Sequence, residues 1–252
     1  EKAAILSTSL LDYRRLPDAV AGSASANRLK AEVAGALTLI DDRSCAAISV
    51  DGNAVGVANE TISVIPASTV KLIVGAVALQ VLGPDFTYET SVRTSPAVDG
   101  VVDGDVYLVG GGDPLLTSND YPTDDDPLPA FATTSLDVLA DALVEAGIER
   151  INGSVIGDGT RYDDEFVIDS WGDGVAFNDA GPYDALLVND ARVRGHSGVQ
   201  DDPNVGAARE FARLLRDRGI RVANGWGSGS ASTQSTAVAT VESQPLGEIV
   251  RE

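Results

Sequence analysis

Apolar and polar positions follow one another in several distinct ways along this chain, and each way predicts a different element. Between Ala26 and Leu37, the residues Leu29, Val33 and Leu37 recur at helical spacing, which predicts a helix with one apolar face. Two β-prone runs follow, "SCAAISV" and "AVGVAN", separated by Asp51-Gly52 and Asn53. An Asp-Gly pair between such runs predicts a hairpin, because its turn needs residues that accept positive φ. The stretch from Ile65 to Leu82 is almost wholly apolar, has Pro66 near its start and is closed by Gly83-Pro84. That pattern predicts a buried helix with a firm stop.

Beyond Thr94 the character changes. "GVVDGDVYLVGGGDP" predicts a hairpin that closes on a glycine turn. Leu136 to Gly147 and Val205 to Arg218 each predict an amphipathic helix. "INGSVIGDG" reads as a strand and turn, "ALLVND" and "ARVRG" as short strands, and "GSGSASTQSTAVATVES" as a polar linker that becomes a strand. Residues 158–182 are rich in Asp, Gly and aromatics with little periodicity, and no internal repeat stands out. The segment from Val92 to Ala237 therefore reads as a unit of its own, set between the apolar helix and "PLGEIVRE".

Composition narrows the function classes. The chain has 252 residues, 44% of them hydrophobic, and a formal net charge of −20. Such a polyanion is repelled by nucleic acid and by anionic membrane surfaces, so neither is an expected partner. Acidic runs such as Asp124-Asp-Asp126 and Asp201-Asp202 are expected to face water. The single cysteine, Cys45, allows no disulfide framework and no cysteine cluster for a metal.

Lys71 is the residue that does not fit. Lys2, Lys30 and Lys71 are the only lysines, and Lys71 is set in the first turn of the apolar helix. One turn separates it from Ser68, so the two share a face. In a purely structural reading Ser68 caps the helix and Lys71 reaches out to water. Yet a cation there opposes the helix dipole, and Val70, Leu72, Ile73, Val74 and Val77 leave no wet face. Dipole and desolvation would both lower the lysine pKa from its free value of about 10.4. A neutral amine beside a hydroxyl is a general base beside a nucleophile, and the helix start aims N–H groups at a developing oxyanion. Ser68 and Lys71 are thus read as a catalytic dyad for acyl transfer. The rivals are weaker: His196 is the only histidine and no G-x-S-x-G elbow accompanies it, while "GGGDP" lacks the G-K-[ST] of a phosphate loop.

With these residues in view, the chain resembles the D-alanyl-D-alanine carboxypeptidases and DD-endopeptidases of the penicillin-binding-protein 4 type. "PASTVKL" with the apolar helix and "LGPDFTYET" is similar to the family's nucleophile helix and its exit. "GDVYLVGGGDPLL", "VIGDGTRYDDEF", "WGDGVAFNDAGPYDALLVND" and "VESQPLGEIVRE" resemble its later segments, in the same order. The resemblance implies an α+β fold: a serine β-lactamase/DD-peptidase-like transpeptidase domain, an antiparallel sheet flanked by helices, with a large inserted α/β unit. The expected division is residues 1–92 for the first part of the transpeptidase domain, 93–237 for the insertion and 238–252 for the return.

The resemblance also implies attack by Ser68 on peptidoglycan stem peptides without any metal or cofactor, acylation by β-lactams as covalent inhibitors, and an extracytoplasmic location. By the same resemblance Asp164 would help to bind the side chain of the peptide donor, with Arg161 where relatives have an aromatic. The family's second and third motifs, S-x-N and K-T-G, do not occur after Lys71, and Ser25-Ala-Asn27 precedes the nucleophile. The expectation is therefore that the C-terminal part of the transpeptidase domain is missing and that these residues alone are inactive. A non-catalytic peptidoglycan-binding homologue and, further off, a serine β-lactamase are the alternatives.

Overall fold

The computed structural model describes residues 17–121, 132–172, 175 and 180–251, with side chains from residue 24 onward. The Asp124-Asp-Asp126 run and much of "WGDGVAFNDA" lie outside the described residues. By its internal contacts the chain divides into two units, Glu1–Leu72 and Ile73–Glu252.

In the first unit helix α1 (Pro17–Leu37) is followed by strands β1 (Ala46–Val50) and β2 (Asn53–Ala58). Leu29, Val33 and Leu37 are the half-buried face of α1, as their spacing requires. The strands pair antiparallel with Val50 opposite Asn53. Asp51 and Gly52 between them both have positive φ, 49° and 75°, the condition for a tight hairpin turn that matches strand twist. Gly56 lets the helix lie flat on β2: a Cβ there would stand 2.6 Å from Val33 Cγ1 and 2.8 Å from Leu37 Cδ1.

Helix α2 (Val70–Leu82) runs from the end of the first unit into the second. The second unit continues with β3 (Glu89–Thr94), β4 (Val101–Val102), β5 (Val106–Val109), β6 (Leu116–Thr117) and β7 (Thr134–Ser135). Then come α3 (Asp137–Glu145), β8 (Arg150–Ile151), β9 (Val155–Asp158) and α4 (Pro203–Asp217). Strands β10 (Arg221–Val222), β11 (Trp226–Ser228) and β12 (Thr236–Glu242) and helix α5 (Leu246–Arg251) complete it. The architecture is α+β.

One five-stranded sheet, in the order β11-β9-β5-β3-β12, organises this unit. Strands β5, β9 and β11 are parallel, while β3 and β12 are antiparallel to each other. In that pairing Arg93 faces Ala237 and Val92 faces Ala239, so the two ends of the expected insertion lie side by side. Helices α3 and α4 cover one face, where Leu139, Leu143, Phe211 and Leu215 close over Val92, Leu108 and Val155.

The expected hairpin at "GVVDGDVYLV" is not formed. Strand β4 pairs with β8 in a three-stranded sheet of order β10-β8-β4, and β5 pairs with β3 and β9 instead. A bend at Asp103-Gly104-Asp105 separates them, matched by bends at Asn152-Gly153-Ser154 and Ala223-Asn224-Gly225 on the neighbouring strands. The bends are stitched together, Gly153 N–H donating to Gly104 O at 2.9 Å and Asn224 N–H to Gly153 O at 3.1 Å. The structure also brings out a repeat in the sequence: "GIERING" after α3 and "GIRVANG" after α4 share G-I-x-x-x-N-G. Each copy ends its helix in the same way. Gly147 and Gly219 adopt positive φ, and Ile148 and Ile220 donate back to Leu143 O and Leu215 O at 3.0 and 2.9 Å. These are Schellman caps, and the two isoleucines bury where each strand begins.

"ALLVND" and "ARVRG" are not strands either. Asn189, Asp190 and Ala191 all have positive φ, between 52° and 58°, which breaks any extended run there. Buried polar bonds hold this left-handed turn, with Asn189 Oδ1 accepting Ser118 N–H and Asn189 Nδ2 donating to Ser118 Oγ, each at 2.9 Å. Tyr121 Oη donates to Asp190 Oδ2 at 2.7 Å.

Candidate active site

The short 3-10 turn Ala67–Thr69 leads straight into α2 and carries Ser68. Pro66 precedes it with φ of −72°, pre-set for helix entry, and has no capping bond. Ala67 sits in the left-handed region, with φ of 48°. For an alanine that conformation costs about 1 kcal/mol or more, and such strain is tolerated where the surroundings fix a particular side-chain direction. It lies immediately before Ser68.

Lys71 Nζ is 3.0 Å from Ser68 Oγ. As an ammonium the lysine donates; once it has lost a proton the same contact reverses and the hydroxyl donates to the amine. Ser68 thus directs its oxygen to Lys71 one turn along. Both residues are in the first unit.

The expectation of a buried helix is overturned among the described residues. No residue of α2 is buried, and Leu72, Ile73, Val74 and Val81 are 76%, 64%, 61% and 73% exposed. Only Gly75, Ala78 and Leu79 are half-buried, Gly75 because Val250 Cγ1 stands 3.0 Å from where its Cβ would be. Lys71 is itself exposed, so the burial expected of it is not supplied by the described residues.

Asp164 lies in the second unit, exposed, on the wall of a cleft of about 310 Å³. Asp184, Asp202, Asn204 and Ser228 line the same cleft. Asp202 caps α4, accepting from Asn204 N–H at 2.8 Å and Val205 N–H at 3.1 Å, and takes the Ser228 hydroxyl on its other oxygen. Burial holds the Asp184 carboxyl above its usual range, against the Asn204 amide bond that lowers it, and the charges of Asp202 and Asp164 push the same way as burial. Among the described residues no group of three or more His, Cys, Asp or Glu side chains is arranged to hold a metal ion. His196 is exposed against Arg209.

A model of the D-Ala-D-Ala carboxypeptidase 3 (S13) family matches residues 46–199, a span that includes Ser68, Lys71 and Asp164. The chain belongs to this family. Over 109 residues it is 35% identical to the D-alanyl-D-alanine carboxypeptidase of Actinomadura sp. (strain R39), covering 42% of this chain and 17% of that protein. In fold it is similar to penicillin binding protein 4 of Haemophilus influenzae, with a TM-score of 0.66 at 18% identity over 85% of this chain and 60% of the other. The crystal structure of that protein with a β-lactam gives a TM-score of 0.59 at 17% identity. The chain thus spans about three fifths of the solved relatives and a smaller part of the Actinomadura enzyme.

The "GGGDP" segment of this S13 chain is more than a turn. Only Gly112 has positive φ, at 98°. Gly110 and Gly111 are there for close approach: a Cβ would stand 2.2 Å from Ala185 O in the first case and 2.1 Å from Glu89 O in the second. Three chain segments therefore meet at these glycines, including the Tyr162 hydroxyl against Gly112. Asp113 follows, buried, with Oδ1 accepting from Leu115 N–H at 2.9 Å. Burial pushes its carboxyl above the usual range. The sequence signalled the glycines but not their partners, which lie tens of residues away.

Proposed function

We propose that this chain carries the acylation dyad of a serine-type D-Ala-D-Ala carboxypeptidase and endopeptidase that acts on peptidoglycan stem peptides. What supports this reading is the 3.0 Å contact between Lys71 Nζ and Ser68 Oγ inside the span matched by the family. Lys71, as the free amine, takes the Ser68 proton while Oγ attacks the carbonyl carbon of the penultimate D-Ala. N–H groups at the start of α2 face the charge that develops on the carbonyl oxygen. The C–N bond breaks, terminal D-Ala leaves with a proton returned by the lysine, and water hydrolyses the Ser68 ester. A β-lactam would form the same ester by opening its ring. The extracytoplasmic location follows from a cell-wall substrate; no helix among the described residues is long and apolar enough to cross a membrane. The transpeptidase assignment of residues 1–92 and 238–252, with 93–237 as the insertion, belongs to the same reading, as does a role for Asp164 in binding the donor peptide.

The test is intact-mass analysis after incubation with a β-lactam, on a protein that carries this chain together with S-x-N and K-T-G motifs. One covalent adduct, mapped to Ser68, is expected. Absence of any adduct would favour the non-catalytic peptidoglycan-binding reading. Lys71→Ala should slow acylation by ~10²–10⁴-fold, the range for loss of a general base. An unchanged rate would remove Lys71 from that role. The 252 residues alone should release essentially no D-Ala, because neither further motif occurs in them after Lys71.

A further inference from the structure

The five-stranded sheet of the second unit ends on an edge that lacks the usual protection. Strand β11 is outermost, and no strand among the described residues pairs with its free side. Sheet edges are commonly blunted by charged residues or proline, and "GWGSGSA", residues 225–231, has neither. In the ladder to β9, Gly225 O accepts from Val155 N–H and Gly229 N–H donates to Gly157 O, each at 3.0 Å. Backbone groups alternate in direction along a strand. The N–H and C=O of Trp226 and Ser228 therefore point outward, away from β9.

The two faces of this edge differ. Trp226 and Ser228 share the face toward α4, where the Ser228 hydroxyl reaches the Asp202 cap. Above the Trp226 ring lie two guanidinium groups, Arg209 at 5.1 Å and Arg216 at 5.3 Å from its centre. Both arginines come from α4, two turns or about 10 Å apart along its axis. The ring itself stays 38% exposed. A guanidinium over an indole keeps its in-plane N–H groups for an anion. No ion pair among the described residues engages either arginine; those that do pair are 43, 194, 213, 218 and 251. On a chain of net charge −20 such a pair stands out.

The opposite face of β11 is bare, because Gly227 occupies it. Gly227 does not adopt a left-handed φ, and a Cβ there would meet nothing closer than Ile156 Cδ1 at 3.7 Å. Neither conformation nor packing among the described residues calls for glycine at this position. Glycine inside a strand then marks close approach by a backbone or ligand from outside.

We propose that the β11 edge is a docking site for an extended acidic peptide segment, added as a further strand with its carboxylates toward Arg209 and Arg216. Backbone pairing supplies affinity, and strand alternation puts every second side chain on the Trp226 face, where the guanidinium groups select acids. The remaining side chains pass over Gly227. A polyanion without a peptide backbone would use the arginines but leave the outward groups of Trp226 and Ser228 unmatched. Ser68 takes no part in this binding.

The test is NMR titration of the 252-residue chain with the capped peptide acetyl-Glu-Thr-Glu-Thr-Glu-Thr-amide. Saturable shifts of the Trp226 and Ser228 amides and of the Trp226 indole N–H are expected. The same peptide with lysine for glutamate should bind at least about tenfold more weakly. The block peptide acetyl-Glu-Glu-Glu-Thr-Thr-Thr-amide has equal charge but cannot turn all its acids to one face, so it should bind about threefold or more weakly. Arg216→Gln, at an exposed position, should remove most of the preference for glutamate over lysine and leave the rest of the spectrum in place. No shifts at β11, equal binding of the alternating and block peptides, or a glutamate preference that survives Arg209→Gln combined with Arg216→Gln would each overturn the proposal. So would tripolyphosphate shifting the indole N–H while the peptides leave the β11 amides unmoved, which would assign the surface to an anionic polymer. Labelling of Ser68 by a β-lactam is read separately, so failure of the peptidase reading and failure of this site are distinguished.

Discussion

Helices α2 and α4 invert the usual expectation about which helix a protein hides. α2, "VKLIVGAVALQVL", is apolar at every position but Lys71 and Gln80, and none of its residues is buried. α4, "PNVGAAREFARLLRD", contains four charged residues before its final aspartate, and ten of its positions are buried. The difference lies in partners. In α4 the apolar positions form one stripe, and β9 and β11 offer that stripe a matching surface. Phe211, Ala212 and Leu215 fill it, and even Glu210 is fully buried, because Arg213 binds it in the same helix. α2 has no stripe to match, and among the described residues only Val250 and a few neighbours approach it. Apolarity states a need for cover; pattern and partner decide whether the cover is there.

The largest effect that would sharpen this contrast is expected in α4. Phe211→Ala removes a fully buried ring and should cost about 3–5 kcal/mol, read as a lower denaturation midpoint in urea. A cost below about 1 kcal/mol would mean that α4 is not the anchor of this sheet. A middle-sized effect is expected at the start of the same helix. Asp202→Ala removes the side chain that accepts two N–H groups and should cost about 1 kcal/mol, mostly recovered by Asn, which can cap equally well. Failure of Asn to restore stability would show that the charge of Asp202, not its capping bond, matters. The smallest effect is expected in α2, where Leu72→Ala should change stability by no more than about 0.5 kcal/mol. A loss of several kcal/mol there would break the comparison, since it would reveal a cover over α2 that the described residues do not provide.

Parts of this molecule were legible without coordinates. The face of α1, the Asp51-Gly52 hairpin, α3 and α4 each depend on neighbours within one or two turns, and local pattern found them. The Ser68–Lys71 pair was legible for the same reason: i and i+3 on a helix are close whatever else the chain does. The misreadings share a different cause. Asp103-Gly104-Asp105 carries the same local signal as a hairpin turn, yet it is one of three bends aligned across parallel strands. The choice between those outcomes was made by β8 and β9, about fifty residues on. Asn189 to Ala191 read as a strand end because nothing local announces a left-handed turn held by Ser118 and Tyr121. The G-I-x-x-x-N-G repeat was present in the letters, but its meaning as helix stop and strand start needed the caps to be seen.

The sequence by itself determined the local elements, the net charge of −20, and the one-turn spacing that brings an amine to a serine hydroxyl. Those depend on backbone geometry and net charge, which do not wait for folding. Only the tertiary structure decided which strands pair and why three successive glycines stand where three segments converge. Each of these is set by atoms distant in the chain, and close packing allows only one arrangement of them at a time.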